Sequence, residues 1–395
     1  MINKKSLILS FILLITAIIL RFVVGVLHMV CDYTILMSLY SIVFYIIKPK
    51  NKKSWSIYII CMLVVGFLYI SLPIMAVGAI FFTTGKVVDY SYLVNLSSLV
   101  HMLLATIWSI LLFICLKDKH PIKKLFIFLF IGLHAFVFVA FDTNIKEVKY
   151  VVDSPMIDVT ENPISIAHIS DLHSTIYPNE QQYLIDKIKV ANPDLIFLTG
   201  DIADDYVDFK GTALLLDGIR DIAPIYYVTG NHEYWDKNFF EVNELIKDYG
   251  VIHLSDTYEI VEINGVMIAV CGIDDPDRYL HYEGDESFEV RFEKLDQAVD
   301  FDGLKILLSH RPERIKEYVN SDFHIILSGH AHGGQVRVPF LINGLFAPNQ
   351  GLFPKYAGGK YHLEGDKMFF VSRGLSVGNL PRIFNPPEIV YIELK

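Results

Sequence analysis

Cysteine is scarce in this chain, with four in 395 residues. Cys31, Cys61 and Cys115 lie in or beside long apolar runs and Cys271 stands alone in the remainder, so no disulfide framework can form there. A basic excess is missing as well. The formal charge of -10 at pH 7 excludes a simple basic nucleic-acid binder. At 53% hydrophobic residues the chain is too apolar to be disordered. Acidic residues are themselves rare at one end. Up to residue 141 there are 12 Lys plus Arg against 3 Asp plus Glu, or +9; subtracting from totals of 34 and 44 leaves 22 against 41, or -19, for residues 142–395. The composition is that of a membrane part joined to an acidic soluble domain.

What fills residues 1–141 is apolar runs with charged punctuation. A helix needs roughly 20 apolar residues to cross the hydrocarbon core. Five spans are expected, near Ser6–Leu27, Met29–Ile47, Trp55–Phe82, Tyr92–Leu116 and Leu125–Phe141. Arg21 interrupts the first, and one long bent helix in place of the first two would leave four. No small-residue cleavage site follows the first run, which disfavours a cleaved signal peptide. Lys4 and Lys5, then Lys48, Lys50, Lys52 and Lys53, then Lys117, Lys119, Lys123 and Lys124 make alternate loops basic. By the positive-inside rule the N-terminus is cytoplasmic, and five spans put the soluble domain outside the cell membrane. Arg21, His28, His101 and His134 are polar residues in or near the spans, but no carboxylate lies within one to build a proton relay. Transport is therefore disfavoured and the bundle reads as an anchor. Residues 142–162 read as a linker and 163–395 as the domain.

From residue 163 short apolar runs alternate with amphipathic stretches, the pattern of α/β units. Ile164–Ile169 runs into Asp171 and His173, Leu195–Leu198 into Gly200-Asp201, and Ile225–Val228 into Gly230-Asn231-His232-Glu233. Later, Ile306–Leu308 runs into His310, and Ile325–Leu327 into Gly329-His330-Ala331-His332. Helices are expected over Glu180–Val190 and Phe209–Ile219. Parallel strands bring their carboxyl ends to one sheet edge, where open α/β folds bind ligands. Taken singly, each of Asp171, His173, Asp201, Asn231, His310, His330 and His332 has a structural explanation as a cap, turn or buried polar residue. Together, carboxylate, amide and imidazole donors without cysteine suit manganese, iron or zinc. They outnumber the needs of one ion, which points to two.

These motifs, in this order, resemble the calcineurin-like metallophosphoesterases. Gly272-Ile273-Asp274-Asp275-Pro276, Ser372-Arg373-Gly374-Leu375 and Asn385-Pro386-Pro387-Glu388 resemble the family's bacterial membrane-associated subgroup, and an animal member with five predicted spans before the domain has a similar layout. The resemblance implies two packed mixed β-sheets flanked by helices. Its late strands would lie near Val266–Cys271, Ile306–Leu308, Ile325–Leu327, Met368–Val371 and Ile389–Ile392. It also implies that Asp171, His173 and His332 hold one metal, that Asn231, His310 and His330 hold the second, and that Asp201 bridges them. A hydroxide shared by cations roughly 3.5–4 Å apart would attack phosphorus in line. His232 would then protonate the leaving oxygen. Asp204, three residues past the bridge, is expected to hold His232, with a helix cap as its alternative role and Asp205 as its possible substitute.

The -19 balance disfavours a nucleic-acid substrate, since such affinity rests on Lys and Arg. A protein Ser/Thr phosphatase is disfavoured too: such relatives carry Arg soon after Gly-Asp-x-x-Asp, where this chain has Asp205 and Tyr206. The expected substrate is a phosphate ester or diphosphate of a lipid or envelope polymer, met at the bilayer. Phe340, Leu345, Phe346, Leu352, Phe353 and Tyr356 form an apolar cluster that would line such a site or pack as a hairpin core. Tyr234 and Trp235 follow His232 and would stack on a base, line a groove or cover the site. Alternatives are a catalytically silent metal-containing sensory or binding module and an extracytoplasmic nucleotide phosphodiesterase.

Overall fold

The computed structural model describes residues 142–153, 163–204, 208–235, 239–280, 284–377 and 382–395, together with six isolated residues before them. Apart from those six residues the expected membrane spans lie outside the described residues, as does Asp205. Among the described residues no helix is long and apolar enough to cross a membrane.

Two six-stranded sheets form the domain. In the first, β1 (Lys146–Val152), β2 (Ile164–Ile169), β3 (Leu195–Thr199), β4 (Ile225–Val228) and β5 (Ile252–His253) join the C-terminal strand β14 (Glu388–Leu394), in the order β1-β14-β2-β3-β4-β5. In the second, β6 (Thr257–Ile263), β7 (Val266–Ile273), β8 (Leu304–Ser309), β9 (Ile325–Ser328), β12 (Gly359–Leu363) and β13 (Lys367–Val371) are ordered β12-β13-β9-β8-β7-β6. A short hairpin of β10 (Phe346–Ala347) and β11 (Gly351–Leu352) precedes β12.

The strands read as continuous apolar runs because both sheet faces are covered. Ile164 and Ile166, Leu195 and Phe197, Leu304, Ile306 and Leu308, and Ile325 and Leu327 all meet between the sheets. The alternate residues Ile196 and Leu198 face outward onto α1 (Gln182–Ala191) and α2 (Lys210–Ile219), through Leu184, Ile188, Leu215 and Ile219, and α4 (Phe239–Asp248) adds Val242 and Ile246 to the same core. On the far side Leu307 and Ile326 pack against Phe292 and Leu295 of α5 (Phe288–Ala298) and Tyr318 of α6 (Ile315–Val319). The four layers match the two flanked sheets expected from sequence, and the anticipated late strands occur with ends moved by a few residues.

Within the linker expected over residues 142–162, Lys146–Val152 forms strand β1, paired in parallel along its whole length with Glu388–Leu394. Its outward face is polar and its partner lies at the other end of the domain sequence, so the segment has no strong local signature.

Candidate metal centre

The site is built where the central strands end. β2, β3 and β4 run parallel, as do β7, β8 and β9, so the loops after β2, β3, β4, β8 and β9 share one edge. The turns are sharp. Asp171, His173, Asp201, His330 and His332 all have positive φ, between 46° and 65°, a region non-glycine residues enter seldom and most often at functional sites. Gly200, at φ 83°, makes the close approach possible: a Cβ there would lie 2.6 Å from His310 Nδ1.

Three donor clusters result, one of them His173, Asp204 and His232, and the other two hold the expected ligands. Asp171, His173, Asp201 and His332 each offer an atom within 4.8 Å of the others, and so do Asp201, His310 and His330. Asp201 belongs to both. Asn231 Oδ1 is buried beside them with no hydrogen-bond partner, an uncompensated acceptor of the kind a cation satisfies. All seven residues expected to hold metal are therefore brought together.

The imidazole orientations decide whether the clusters suit cations. His310 Nδ1 lies 2.7 Å from the Thr199 carbonyl, which only accepts, so Nδ1 carries the proton. His173 Nδ1 lies 3.3 Å from the Asp204 carboxylate and is protonated for the same reason. Asn349 Oδ1 accepts from Arg311 Nη1 at 3.0 Å and from His330 Nε2 at 3.0 Å. Ser376 Oγ lies 3.1 Å from His332 Nδ1. In each ring the other nitrogen points inward. His173 Nε2 and His332 Nε2 are 3.2 Å apart, and His310 Nε2 and His330 Nδ1 are also 3.2 Å apart. Two lone pairs at that distance repel unless a proton or a metal lies between them, and an outer oxygen partner on each imidazole is the usual arrangement around a metal.

Charge is distributed to match. Burial, then the neighbouring His310 and Arg311, keep His330 well below the usual imidazole range, and burial followed by His173 does the same for His332. Both are thus neutral, the form that ligates. Against the burial that would raise it, Asp201 is held well below the usual carboxylate range by His310 and His232. Burial would lower His310, but Asp201, then Asp171 and Asp275, hold it at about 10, so without metal a proton sits where a cation would.

His232 is the second residue of the short helix α3 (Asn231–Trp235), which follows β4. Its ring stands edge-on to His173 at 4.4 Å and packs against Trp235 at 4.7 Å. Together with Asp201, Asn231, Trp235, Asp277, Arg311 and Asn349 it lines a cleft of about 190 Å³. Asp204 sits between two histidines, 3.3 Å from His173 Nδ1 and 4.0 Å from His232 Nδ1. Sequence reading tied it to His232 alone; the closer contact is to His173.

Three supporting residues escaped the sequence reading. Glu233 is buried and accepts from the backbone N–H groups of Asp201, Ile202, Ala203 and Gly230 at 2.7–3.1 Å, clamping two ligand loops together. The signal was present: Glu233 stands three residues after Gly230, the spacing at which a glutamate returns to the N-terminus of its own helix. Arg311 is fixed by a two-pronged bond to Asp275 at 2.6 and 2.8 Å and passes that order to His330 through Asn349. The tail motifs also serve the site, since Asn385 Nδ2 donates to the His332 carbonyl at 2.7 Å and Gly374 packs on Asp171. Of the apolar cluster, Phe340, Phe346, Leu352 and Phe353 are exposed, whereas Tyr356 packs on the outer core.

Comparison with known proteins agrees with this geometry. A sequence model described as calcineurin-like phosphoesterase matches residues 164–334. YpbG of Bacillus subtilis is 30% identical over 239 residues, 59% of this chain and 81% of that protein. F40B5.2 of Caenorhabditis elegans is 29% identical over 283 residues, covering 68% of this chain and 55% of the relative. The transmembrane protein with metallophosphoesterase domain of Danio rerio is 29% identical over 248 residues, 59% and 54% of the two chains. This chain thus spans about half the length of the two animal relatives. With the matched region holding all five loop motifs and the donors converging as described, the chain belongs to the calcineurin-like metallophosphoesterase family.

Proposed function

We infer that the protein is a membrane-anchored phosphoesterase working with two divalent metals, acting on a phosphate ester or diphosphate of a lipid or envelope molecule. The observation that carries this reading is the pair of donor clusters sharing Asp201, with inward nitrogens 3.2 Å apart. Asp171, His173, Asp201 and His332 would hold one cation, and Asp201, Asn231, His310 and His330 the other; manganese, iron or zinc suits these donors. Bound there, such ions would supply Lewis acidity toward phosphoryl oxygens and an activated water for in-line displacement.

The chain's own groups do the rest. His232 faces the cleft beside both clusters and delivers a proton to the departing oxygen. Asp204 reaches both His232 and His173, so it favours the protonated form of the first and fixes the tautomer of the second. Trp235 and the Pro348-Asn349 turn flank the cleft and bound the space left for the ester's organic group.

The apolar stretches before residue 142 support a multi-pass anchor in the cell membrane, and the lysine pattern supports an extracytoplasmic domain. A reporter enzyme fused after residue 395 checks the second point, since activity of a cytoplasm-dependent reporter would reverse the orientation. A nucleotide phosphodiesterase is the alternative substrate class, favoured by one feature: Trp235 is half-exposed at the cleft and offers a stacking face. Full-length protein with manganese or zinc, assayed against bis-aryl and mono-aryl phosphates, lipid diphosphates and nucleotide diesters, separates these readings. No hydrolysis of any would sink them and leave the silent-module alternative.

A further inference from the structure

Acidic residues are absent from Phe323 to Leu363, although residues 142–395 carry 41 of them. Within that stretch the loop between the last metal motif and β12 holds the basic residues Arg337 and Lys355 and turns large apolar side chains to solvent. Phe340 is fully exposed, Leu341 nearly so, and Leu352 and Phe353 are 67% and 64% exposed. Phe346 stands opposite Leu352 in the β10–β11 hairpin, so the two share a face. Phe340 and Phe353 are held at φ 67° and 55°, which bulky residues rarely adopt.

The loop is tied to the site. Leu345 N–H donates to the Gly334 carbonyl and Phe353 N–H to the Leu345 carbonyl. Pro348 and Asn349, between the two exposed hairpin residues, line the cleft. Direction of chain entry supplies a second, independent observation. β1 is parallel to β14, and β14 is antiparallel to β2. β1 therefore begins at the edge where β2 ends, which is the metal edge. Four residues, Asp142–Ile145, separate β1 from the end of the last apolar stretch at Phe141, a reach of at most about 14 Å.

We propose that residues 336–356 form a docking surface for an anionic lipid bilayer, seating Phe340, Leu341, Phe346, Leu352 and Phe353 at the headgroup–acyl boundary so that the cleft opens onto phospholipid headgroups. The proposal rests on the membrane-anchored reading above. A contiguous exposed apolar patch is a site for association. Its flanking cations and lack of carboxylates fit an anionic surface, which the rest of the domain would repel. Short tethering at the metal edge keeps that edge near the membrane and lets the loop reach it.

Full-length chain in nanodiscs of phosphatidylcholine and phosphatidylglycerol tests this. In a chain with Trp55, Trp108 and Trp235 each changed to Phe, Phe340→Trp adds the one indole at the loop tip, and Ile260→Trp instead adds it on β6, the strand at the opposite edge of its sheet from β12. Lipids carrying a nitroxide at a shallow acyl position should quench the first by about twofold or more and leave the second unaffected, as contact at the interface requires. Equal quenching overturns the proposal. So does a blue-shifted indole at 340 that lipid does not quench, since a protein surface then covers the loop. Paired Leu352→Ser and Phe353→Ser substitutions should lower hydrolysis of a phospholipid headgroup diester about tenfold while bis-aryl phosphate turnover in the same discs holds; equal loss of both overturns it. If the parent chain hydrolyses neither aryl phosphates, lipid diphosphates, phospholipid headgroup diesters nor nucleotide diesters, the phosphoesterase reading fails, whereas the quenching result needs no turnover and still decides the docking surface.

Discussion

His173 takes part in two relationships that its position in sequence leaves invisible. Its inward nitrogen faces His332, and its outer nitrogen is held by Asp204. Asp204→Asn should therefore weaken metal binding at that cluster about 10- to 100-fold, as loss of an outer-shell partner does. Metal titration of the variant against the parent checks this, and unchanged affinity would confine Asp204 to His232. Spacing showed Asp204 to be near the site but could not choose between two histidines, because that choice depends on how the loops after β2 and β4 fold back. Asn349 was hidden for a similar reason: it reaches His330 from a hairpin with no strong pattern.

A titrating pair lies away from the ligands. His253 Nε2 is 2.8 Å from Asp274 Oδ1. Burial would lower the imidazole, but Asp274 raises it above its ordinary value; Asp274, despite burial, is lowered by His253, then by Ser255 and Thr229. Asn243, Tyr227, Glu233 and Arg278 are the other groups around His253. A raised histidine stabilises fully below its unfolded pKa of about 6.5 and loses that contribution as pH climbs through the folded value. The stability lost in His253→Gln, measured by denaturant unfolding in chelator, should be larger at about pH 5.5 than at about pH 8.5. A loss independent of pH would contradict the assignment.

Among elements, the strand-end loops were the legible part. Each ligand follows directly on an apolar run, and parallel pairing does the gathering. β1 was the illegible part, because its pairing partner β14 is the last strand of the chain. Removal of residues 1–152 should leave one edge of β14 without its ladder and delete Ile145, a contributor to the outer core. The truncated protein is expected to aggregate or unfold at lower denaturant than one beginning at residue 142, and equal stability would show β1 to be dispensable. The short helix α3 depends similarly on Glu233. Glu233→Ala leaves four buried N–H groups unpaired, and at about 1–3 kcal/mol per unsatisfied group the unfolding free energy should fall by about 4 kcal/mol or more.

For the whole molecule, the charge of -10 combines +9 and -19. Lysines before residue 142 account for most of the first. Asp171 and Asp201 are part of the second, and most of its other carboxylates lie at the surface, where they disfavour a polyanionic substrate. The central claim is that catalysis resides in two metals held by the shared-aspartate clusters, with His232 as proton donor. Turnover of a bis-aryl phosphate by metal-stripped full-length chain, titrated with manganese, tests it most directly when run beside His232→Ala. The account predicts no turnover without metal, turnover rising to a plateau at two equivalents, and a variant that binds the same two equivalents yet turns over about 10²- to 10⁴-fold more slowly. Full activity in the stripped chain, or an undiminished rate in His232→Ala, would contradict it.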